Sequence, residues 1–198
     1  MQAARTILSQ DGPEGLSLAK VARLAGVNRG TAYQHFETRE HLIESTSAWV
    51  SESLVRAVYG NPEALHDPSR EALDISELVD RLASFAMENP ELCQVWLMQV
   101  LSSPGPAKDP FWKAYEGSTE HFIETENAER GIDSEVLSVL MLAGAFIWPV
   151  WARAHSKTQA ERKKLARRFA NEVLRLAMYG SLRAERYPEV ARRLKKEL

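Results

Sequence analysis

Apolar residues recur at spacings of three and four along nearly the whole of this 198-residue chain. Such spacing places apolar side chains on one face of an α-helix, whereas a half-buried strand would alternate apolar and polar residues. Alternating runs are scarce here. Breaks rich in glycine and proline, among them Gly12-Pro13 and Asn89-Pro90, divide the pattern into about nine or ten helices. The sequence therefore predicts an all-α protein.

The chain has one cysteine, Cys93, which excludes a disulfide scaffold and favours a reducing compartment. The five histidines show no metal-ligand spacing, so we expect neither a metal site nor a cofactor. The N-terminal residues lack the apolar core of a signal peptide. The longest apolar run, residues 139–152, is shorter than the roughly 20 residues of a membrane helix. We therefore expect a cytoplasmic protein that does not bind a membrane.

Charge is distributed unevenly, although the formal net charge is only −2. Residues 1–45 carry five basic and five acidic residues, residues 46–152 carry six and seventeen, and residues 153–198 carry fourteen and five. A basic C-terminal stretch is one pattern of nucleic-acid binding. Here the basic residues are spread around an amphipathic helical pattern, so we interpret them as its solvated face.

Two short predicted helices near the N-terminus are separated by a tight turn. Ser17 is the predicted N-cap of the first, and Gly26 ends it because glycine readily adopts a positive φ. Asn28 caps the second, residues 29–36, and Thr38 caps a longer helix that follows. Two helices joined by a short turn that contains glycine form the helix-turn-helix pattern, whose second helix enters the major groove of DNA.

The second of these helices has the chemistry of a DNA-reading element. Ala32 and Phe36, four residues apart, form the edge that anchors it, and polar side chains project elsewhere. Arginine pairs with guanine or a phosphate and glutamine pairs with adenine, so we expect Arg29 and Gln34 to contact bases. Gly30 is a poor helix former, and its missing side chain would let the backbone approach a phosphate closely.

The residues of this region match a known pattern in type and spacing without a gap, namely Gly12-Pro13-Glu14-Gly15-Leu16-Ser17-Leu18, Val21-Ala22, Ala25-Gly26-Val27, Gly30-Thr31, Tyr33, His35-Phe36, Glu40 and Leu42. The pattern resembles the DNA-binding domain of the TetR family of bacterial transcription regulators and covers roughly residues 3–45. The rest of the chain resembles the family only in length, helical character and helix count.

The resemblance implies DNA-backbone contacts for further residues. Tyr33 and His35 take positions where family members often touch phosphates, and Thr31 is expected to contact a phosphate or a thymine methyl group. Ser17 and Lys20, at the start of the preceding helix, are expected to clamp the flanking strand. These residues and the two base-reading side chains would together form one surface.

Arg39 stands where the family usually has lysine, and at the N-terminus of its helix it would bind phosphate at least as well. Other interpretations of single residues stay open. Ser17 and Thr38 are explained by capping alone, His35 by a place on the surface, and Tyr33 by a ring packed in the small domain's core. The balanced charge of residues 1–45 predicts modest non-specific affinity for DNA.

The resemblance also implies two domains, a three-helix helix-turn-helix domain in residues 1–45 and a larger helical ligand-binding and dimerisation domain in residues 46–198. The helix preceding Gly60 would link them and transmit a ligand signal. We predict the helices of the larger domain at residues 69–88, 90–102, 110–129, 133–154 and 158–179, with a tail helix at 187–196.

The last two long helices resemble the pair that builds the family's four-helix dimer interface. Small residues at 143–145 permit close helix approach, although the family often has Asp-Gly where this chain has Ala143-Gly144. A homodimer would present two reading heads to a palindrome. The predicted interface residues are Gly144, Leu165, Phe169, Val173, Leu176 and Ala177. The alternative is that they face the core of their own subunit.

Aromatic and sulfur-containing side chains concentrate in the larger domain, and a pocket lined by them would suit an apolar or aromatic small molecule. Pro149 inside a helix removes a backbone hydrogen bond, and a kink there could open a cavity. The alternative is plain core packing. The predicted pocket residues are Phe85, Cys93, Trp96, Trp112, Tyr115, Met141, Trp148 and Trp151.

Three classes of function remain. The first is a ligand-responsive repressor that binds a palindromic operator as a dimer and is released by an effector. The second is a regulator of the same fold that responds to a protein partner or to nothing, which a filled core would favour. The third is an enzyme or a structural bundle. The helix-turn-helix pattern argues against this class, and the sequence also has no nucleophile–base pair and no phosphate loop. We therefore expect a repressor and not an enzyme.

Overall fold

The computed structural model describes residues 2–60 and 75–179. In this part of the chain the all-α prediction is confirmed, with nine α-helices and no strand. The helices are α1 (Gln2–Asp11), α2 (Leu18–Ala25), α3 (Arg29–His35), α4 (Arg39–Tyr59), α5 (Ile75–Glu88), α6 (Pro90–Ser102), α7 (Pro110–Ile123), α8 (Ser134–Arg153) and α9 (Gln159–Tyr179). Short 3₁₀ turns lie at Pro13–Gly15 and Pro106–Lys108.

The first three helices form a small bundle at one end of the molecule. Ala4, Ile7 and Leu8 of α1 are buried, and they share a core with Leu18 and Val21 of α2. The spacing of three to four residues in each helix places these side chains on one face. We call this three-helix bundle the reading head, after the role that the N-terminal pattern predicts for it.

Helix α4 runs from the reading head into the larger bundle. Leu42 lies in the head's core and Val50, Leu54 and Val58 lie fully buried further along, so one continuous apolar cluster spans both parts. The predicted boundary between residues 45 and 46 falls inside this unbroken helix. The head is therefore attached to the rest of the chain through a helix rather than a loop.

The described helices of the larger bundle follow the predicted ranges closely, with one clear difference at the end of α7. Helix α7 ends at Ile123, not at residue 129. The start predicted for α5 and the tail helix at 187–196 lie outside the described residues. Pro149 is buried within α8, which continues past it to Arg153. Helix α5 packs most extensively against α9, while α4 contacts α5, α6 and α7.

Helix α8 is long and apolar enough to span a membrane by length and composition, with a mean hydropathy of 1.7. A single helix of this kind is weak evidence, because core helices of soluble proteins meet the same criteria. In this fold α5, α6, α7 and α9 all pack against α8. The apolar character of the helix is therefore accounted for in part by its own neighbours.

Candidate DNA-binding surface

The turn between α2 and α3 is set by Gly26, whose φ of 68° lies in the left-handed region. In this conformation the Gly26 and Val27 backbone N–H groups bond back to carbonyls of Arg23 and Ala22, at 3.3 and 3.1 Å. Any other residue would be strained here, because a Cβ atom disfavours positive φ. The glycine therefore fixes the angle at which α3 leaves α2.

Asn28 then caps α3 with a side-chain oxygen that accepts two hydrogen bonds. The backbone N–H of Thr31 donates to Asn28 Oδ1 at 2.7 Å and the Thr31 hydroxyl donates to the same oxygen at 3.1 Å. A Cβ atom on Gly30 would lie 3.2 Å from that oxygen. Gly30 thus has a structural reason in addition to the predicted approach to DNA, and the Thr31 hydroxyl already has a partner within the head.

Loss of this cap should destabilise the protein measurably. We expect Asn28→Ala to lower the free energy of unfolding by about 1 kcal/mol, because two donors at the start of α3 lose their acceptor. Asn28→Asp keeps an acceptor at the same place and serves as the matched control. Urea unfolding followed by far-ultraviolet circular dichroism measures both. Equal midpoints for the alanine and aspartate variants would contradict this role.

One edge of α3 is anchored and the opposite face is open. Ala32 is buried and Phe36 is half-buried, as predicted for the anchoring edge. Arg29, Gln34 and His35 are exposed, and so is the Tyr33 ring, which lies on the surface rather than in the head's core. A face of this kind offers one guanidinium, one amide, one imidazole and one phenol to an outside partner.

Three other predicted contact residues already have partners within the chain. The Ser17 hydroxyl caps α2 by accepting from the Lys20 backbone N–H at 3.4 Å. The Lys20 ammonium is paired with the Asp11 carboxylate at 3.0 Å. Arg39 Nε donates to the Leu16 carbonyl at 3.2 Å, tying the start of α4 to the residue before that cap. Phosphate contacts by the two cations would compete with these bonds.

Residues 1–46 match the family model of bacterial regulatory proteins of the tetR family. The match covers α1 to α3 and the start of α4, the part of the chain that carries the open face of α3. Over 93 residues it is 27% identical to the nucleoid occlusion factor SlmA of Vibrio cholerae. That match spans 46% of this chain and 45% of SlmA, so it covers less than half of either protein.

Solved structures share the fold over most of this chain. FadR from Bacillus subtilis, solved in complex with stearoyl-CoA, has a TM-score of 0.64 at 16% identity and covers 91% of this chain and 97% of its own. A tetR-family regulatory protein from Rhodococcus RHA1 has a TM-score of 0.66 at 19% identity, covering 89% and 93%. At these identities the likeness establishes the fold.

The residues predicted to line an effector pocket fall into separate groups. Cys93, Trp96, Trp112 and Tyr115 are buried in the main core, where Trp96 meets Phe111 and Phe146 edge-on at centroid distances of 5.5 and 5.1 Å. Phe85 and Met141 are half-buried against the same core. The aromatic rings of this core pack against one another. One surface cleft lies along α9 and another at residues 123–130, and neither is lined by any of these residues.

The two remaining residues of that group lie elsewhere. Trp148 stacks on Phe169 at 6.0 Å and donates from Nε1 to the Leu165 carbonyl at 3.2 Å, in a smaller cluster where α8 meets α9. Trp151 is 68% exposed on the outer face of α8. The structure therefore does not bring Trp148 and Trp151 to the main aromatic cluster, because α8 turns them towards α9 and the surface instead.

Titratable groups inside the aromatic cluster are held neutral. Burial raises the pKa of the Cys93 thiol well above its ordinary value, and the nearby Glu91 carboxylate adds to that effect. Burial likewise raises the pKa of the Tyr115 phenol. Both groups therefore stay protonated at neutral pH.

The residues predicted for the dimer interface are also divided. Gly144 faces Phe169 of its own chain, since a Cβ atom there would lie 3.7 Å from the Phe169 ring. Leu165 and Phe169 pack in the small cluster between α8 and α9. Val173 is half-buried, and Leu176 and Ala177 are exposed near the end of α9. The first three thus face their own subunit in the structure.

Sequence reasoning missed an apolar stripe on the outer face of α8. Leu140, Ile147 and Val150 are 61, 58 and 62% exposed, and Val136 and Trp151 are exposed beside them. Their spacing places them on one side of the helix, opposite the buried Leu142, Ala145 and Phe146. Leu176, Met178 and Tyr179 near the end of α9 are exposed as well.

Proposed function

We propose that this protein regulates transcription by binding a palindromic operator as a homodimer, and that it represses until a small apolar or aromatic effector releases it. The observation that carries the proposal is the open face of α3. That face is held by the Gly26 turn and the Asn28 cap, and it presents Arg29, Tyr33, Gln34 and His35 outward. The match to a family of bacterial regulatory proteins supports it.

In this proposal Arg29 and Gln34 read base edges in the major groove, where arginine pairs with guanine and glutamine with adenine. Tyr33 and His35 hold phosphates on either side and fix the register of the helix without reading sequence. Thr31, Lys20 and Arg39 join them at the DNA backbone once they exchange their present partners. Gly30 and Ser17 keep the backbone of both helices close to the duplex.

The dimer rests on the stripe of α8. A contiguous apolar surface of this kind on a soluble protein marks a site of protein association. A second copy related by a two-fold axis would cover each stripe with its own, and the end of α9 would join the contact. We therefore place the interface at Val136, Leu140, Ile147, Val150 and Trp151, with Leu176 and Ala177 retained from the sequence prediction.

The test is selection of bound duplexes from a random pool at fixed, near-physiological salt. The proposal predicts a palindromic consensus with two half-sites separated by about one helical turn or a multiple of it. Folded protein that enriches no sequence above non-specific binding would overturn it. Salt must stay fixed because phosphate contacts make affinity strongly dependent on ionic strength.

Release of the Asp11–Lys20 ion pair should strengthen non-specific DNA binding. In Asp11→Asn we expect the logarithm of the DNA-binding constant to fall more steeply with the logarithm of the salt concentration. The slope should change by up to the contribution of about one phosphate contact, because Lys20 becomes free to bind phosphate. The pair is exposed, so stability should change little. The control Glu14→Gln removes the same charge from the same domain. Anisotropy titrations on a duplex without the consensus measure both, and equal slopes would refute this account.

The filled aromatic cluster favours a second candidate, a regulator of the same fold that takes no small effector. Trp96, Phe111 and Phe146 occupy the space that a ligand would need. Stearoyl-CoA, with which FadR was solved, joins an apolar acyl chain to a charged coenzyme A group and is a concrete probe for the first candidate. Release of the selected duplex by this compound supports an effector site. Failure of a broad panel of apolar compounds to release it favours the second candidate.

A further inference from the structure

A polar junction sits inside the apolar bundle where α4, α6 and α7 meet. Asp109, the N-cap of α7, accepts three hydrogen bonds at one carboxylate oxygen. The donors are the Ser51 hydroxyl of α4 at 3.0 Å, Trp96 Nε1 of α6 at 3.0 Å, and the Trp112 backbone N–H of α7 at 2.9 Å. One oxygen atom therefore joins three helices.

Ser51 is fully buried and makes a second bond at this junction. The Phe111 backbone N–H donates to Ser51 Oγ at 3.0 Å, while the Ser51 hydroxyl donates to Asp109. The Ser51 hydroxyl therefore bonds the middle of α4 to the start of α7 twice, once as an acceptor and once as a donor. Hydrogen bonds to an ionised carboxylate are stronger and more directional than apolar contacts, so they fix the position of α4 along and around its own axis.

Two of the connections between the reading head and the larger bundle lead to this junction. One is α4 itself, on which Ser51 follows Arg39 by twelve residues, or about 18 Å of helix. The other is Arg5 of α1, whose Nη2 donates to Asn89 Oδ1 at 2.8 Å. Asn89 begins α6, the same helix that carries Trp96. The Asp109 carboxylate therefore connects the two helices, α4 and α6, through which the head contacts the larger bundle in these two ways.

We propose that Ser51 and Asp109 are positioning residues that set the orientation of each reading head, and through it the half-site spacing that the dimer accepts. This inference rests on the proposed function. A small tilt of α4 about Ser51 is enlarged at the head, because the head lies about 18 Å along the helix. Apolar packing alone would permit such a tilt, whereas the directional bonds at Asp109 oppose it.

The experiment compares duplexes that carry the selected half-sites at the selected spacing with duplexes that have two base pairs inserted or removed between them. The variants are Ser51→Ala and Asp109→Asn. The matched control is Ser53→Ala, which removes a hydroxyl from the same helix that bonds only to the Trp49 carbonyl one turn earlier. A duplex with a single half-site reports the head's own affinity. Circular dichroism confirms that each variant is folded.

We expect Ser51→Ala to reduce the preference for the selected spacing by roughly fivefold, within the range of energetic coupling between sites. Asp109→Asn should reduce it in the same direction, because it keeps the shape of the side chain and removes its charge. Ser53→Ala should keep the preference of the parent, and single half-site affinity should stay within about twofold in all variants.

Three results would overturn the inference. The first is an unchanged spacing preference in both folded variants. The second is an equal loss of affinity for every duplex, the single half-site included, which would indicate only a structural role. The third is a parent protein that selects no spaced pair, in which case the proposed function itself fails and the inference with it. If the parent selects a palindrome and both variants keep the parent's preference for its spacing, this inference fails and the proposed function stands.

Discussion

Replacing Arg29 and Gln34 together by alanine should weaken binding to the selected operator by about 2–6 kcal/mol, which is roughly 30-fold or more. Both side chains are exposed on the open face of α3, and each is expected to make a paired contact with one base. The double variant should also lose preference at those two base positions. Anisotropy titration against the operator and against single-base variants of it measures both effects.

Two controls separate base reading from charge and from phosphate binding. Arg23→Ala removes an exposed arginine from the end of α2 and should lower affinity only slightly and for all sequences alike. Tyr33→Ala should weaken binding to every duplex to the same degree, because a phosphate contact carries no sequence information. A double variant that binds the operator like the parent would show that α3 is not the reading helix.

Glutamate at both Leu140 and Ile147 should convert the protein to a monomer. Each carboxylate would be buried in the proposed two-fold interface, at a cost of several kcal/mol per charge, so the dimer constant should weaken by about a thousandfold or more. The chain itself should stay folded, because both side chains are mostly exposed within the subunit. Affinity for the palindrome should fall towards that of a single half-site. Sedimentation velocity and anisotropy titration measure the two effects.

The matched control is Leu101→Glu at the end of α6, where a leucine is 78% exposed outside the stripe. This variant should remain a dimer and keep the parent's affinity for the palindrome. If Leu140→Glu/Ile147→Glu also sediments as a dimer, then α8 does not form the interface. A parent that sediments as a monomer would contradict the homodimer directly.

Local features of the helices were predictable because they depend on neighbouring residues. Ser17, Asn28 and Thr38 each accept a backbone N–H three residues on, as the caps require. The end of α7 was predicted six residues too late. There the Thr125 hydroxyl donates to the Phe122 carbonyl and accepts from the Asn127 N–H, and such local bonds compete with the helix.

The predicted interface failed in part because periodicity shows that a face is apolar and not what covers it. Leu165 and Phe169 form a stripe on α9, but α5 and α8 of the same chain cover it. Helix α8 is apolar around most of its circumference, so its pattern cannot separate the inner face from the outer one. Only the packing of α8 within the bundle leaves Leu140 and Ile147 outside.

The polar junction could not be predicted for a different reason. Ser51 and Asp109 are 58 residues apart, and Trp96 reaches the same oxygen from a third helix. Each residue is unremarkable in its own segment, since Asp109 reads as a helix cap and Ser51 as a polar residue within a helix. Their meeting depends on the order in which α4, α6 and α7 pack together.

In the proposed function, α3 lies in the major groove of each half-site. A thiol introduced by Gln34→Cys tests it, since Cys93 is buried and leaves the new thiol as the accessible one in the described chain. The partner is the selected palindrome with a mixed disulfide tethered to a major-groove base edge in each half-site, so that the protein thiolate attacks the tethered sulfur and displaces the small thiol as leaving group. Asn127→Cys, at an exposed position in the α7–α8 connection, is the control. The account predicts a disulfide from position 34 at both half-sites and none from position 127. Bound protein that forms no cross-link from position 34, or equal cross-links from both positions, would contradict it.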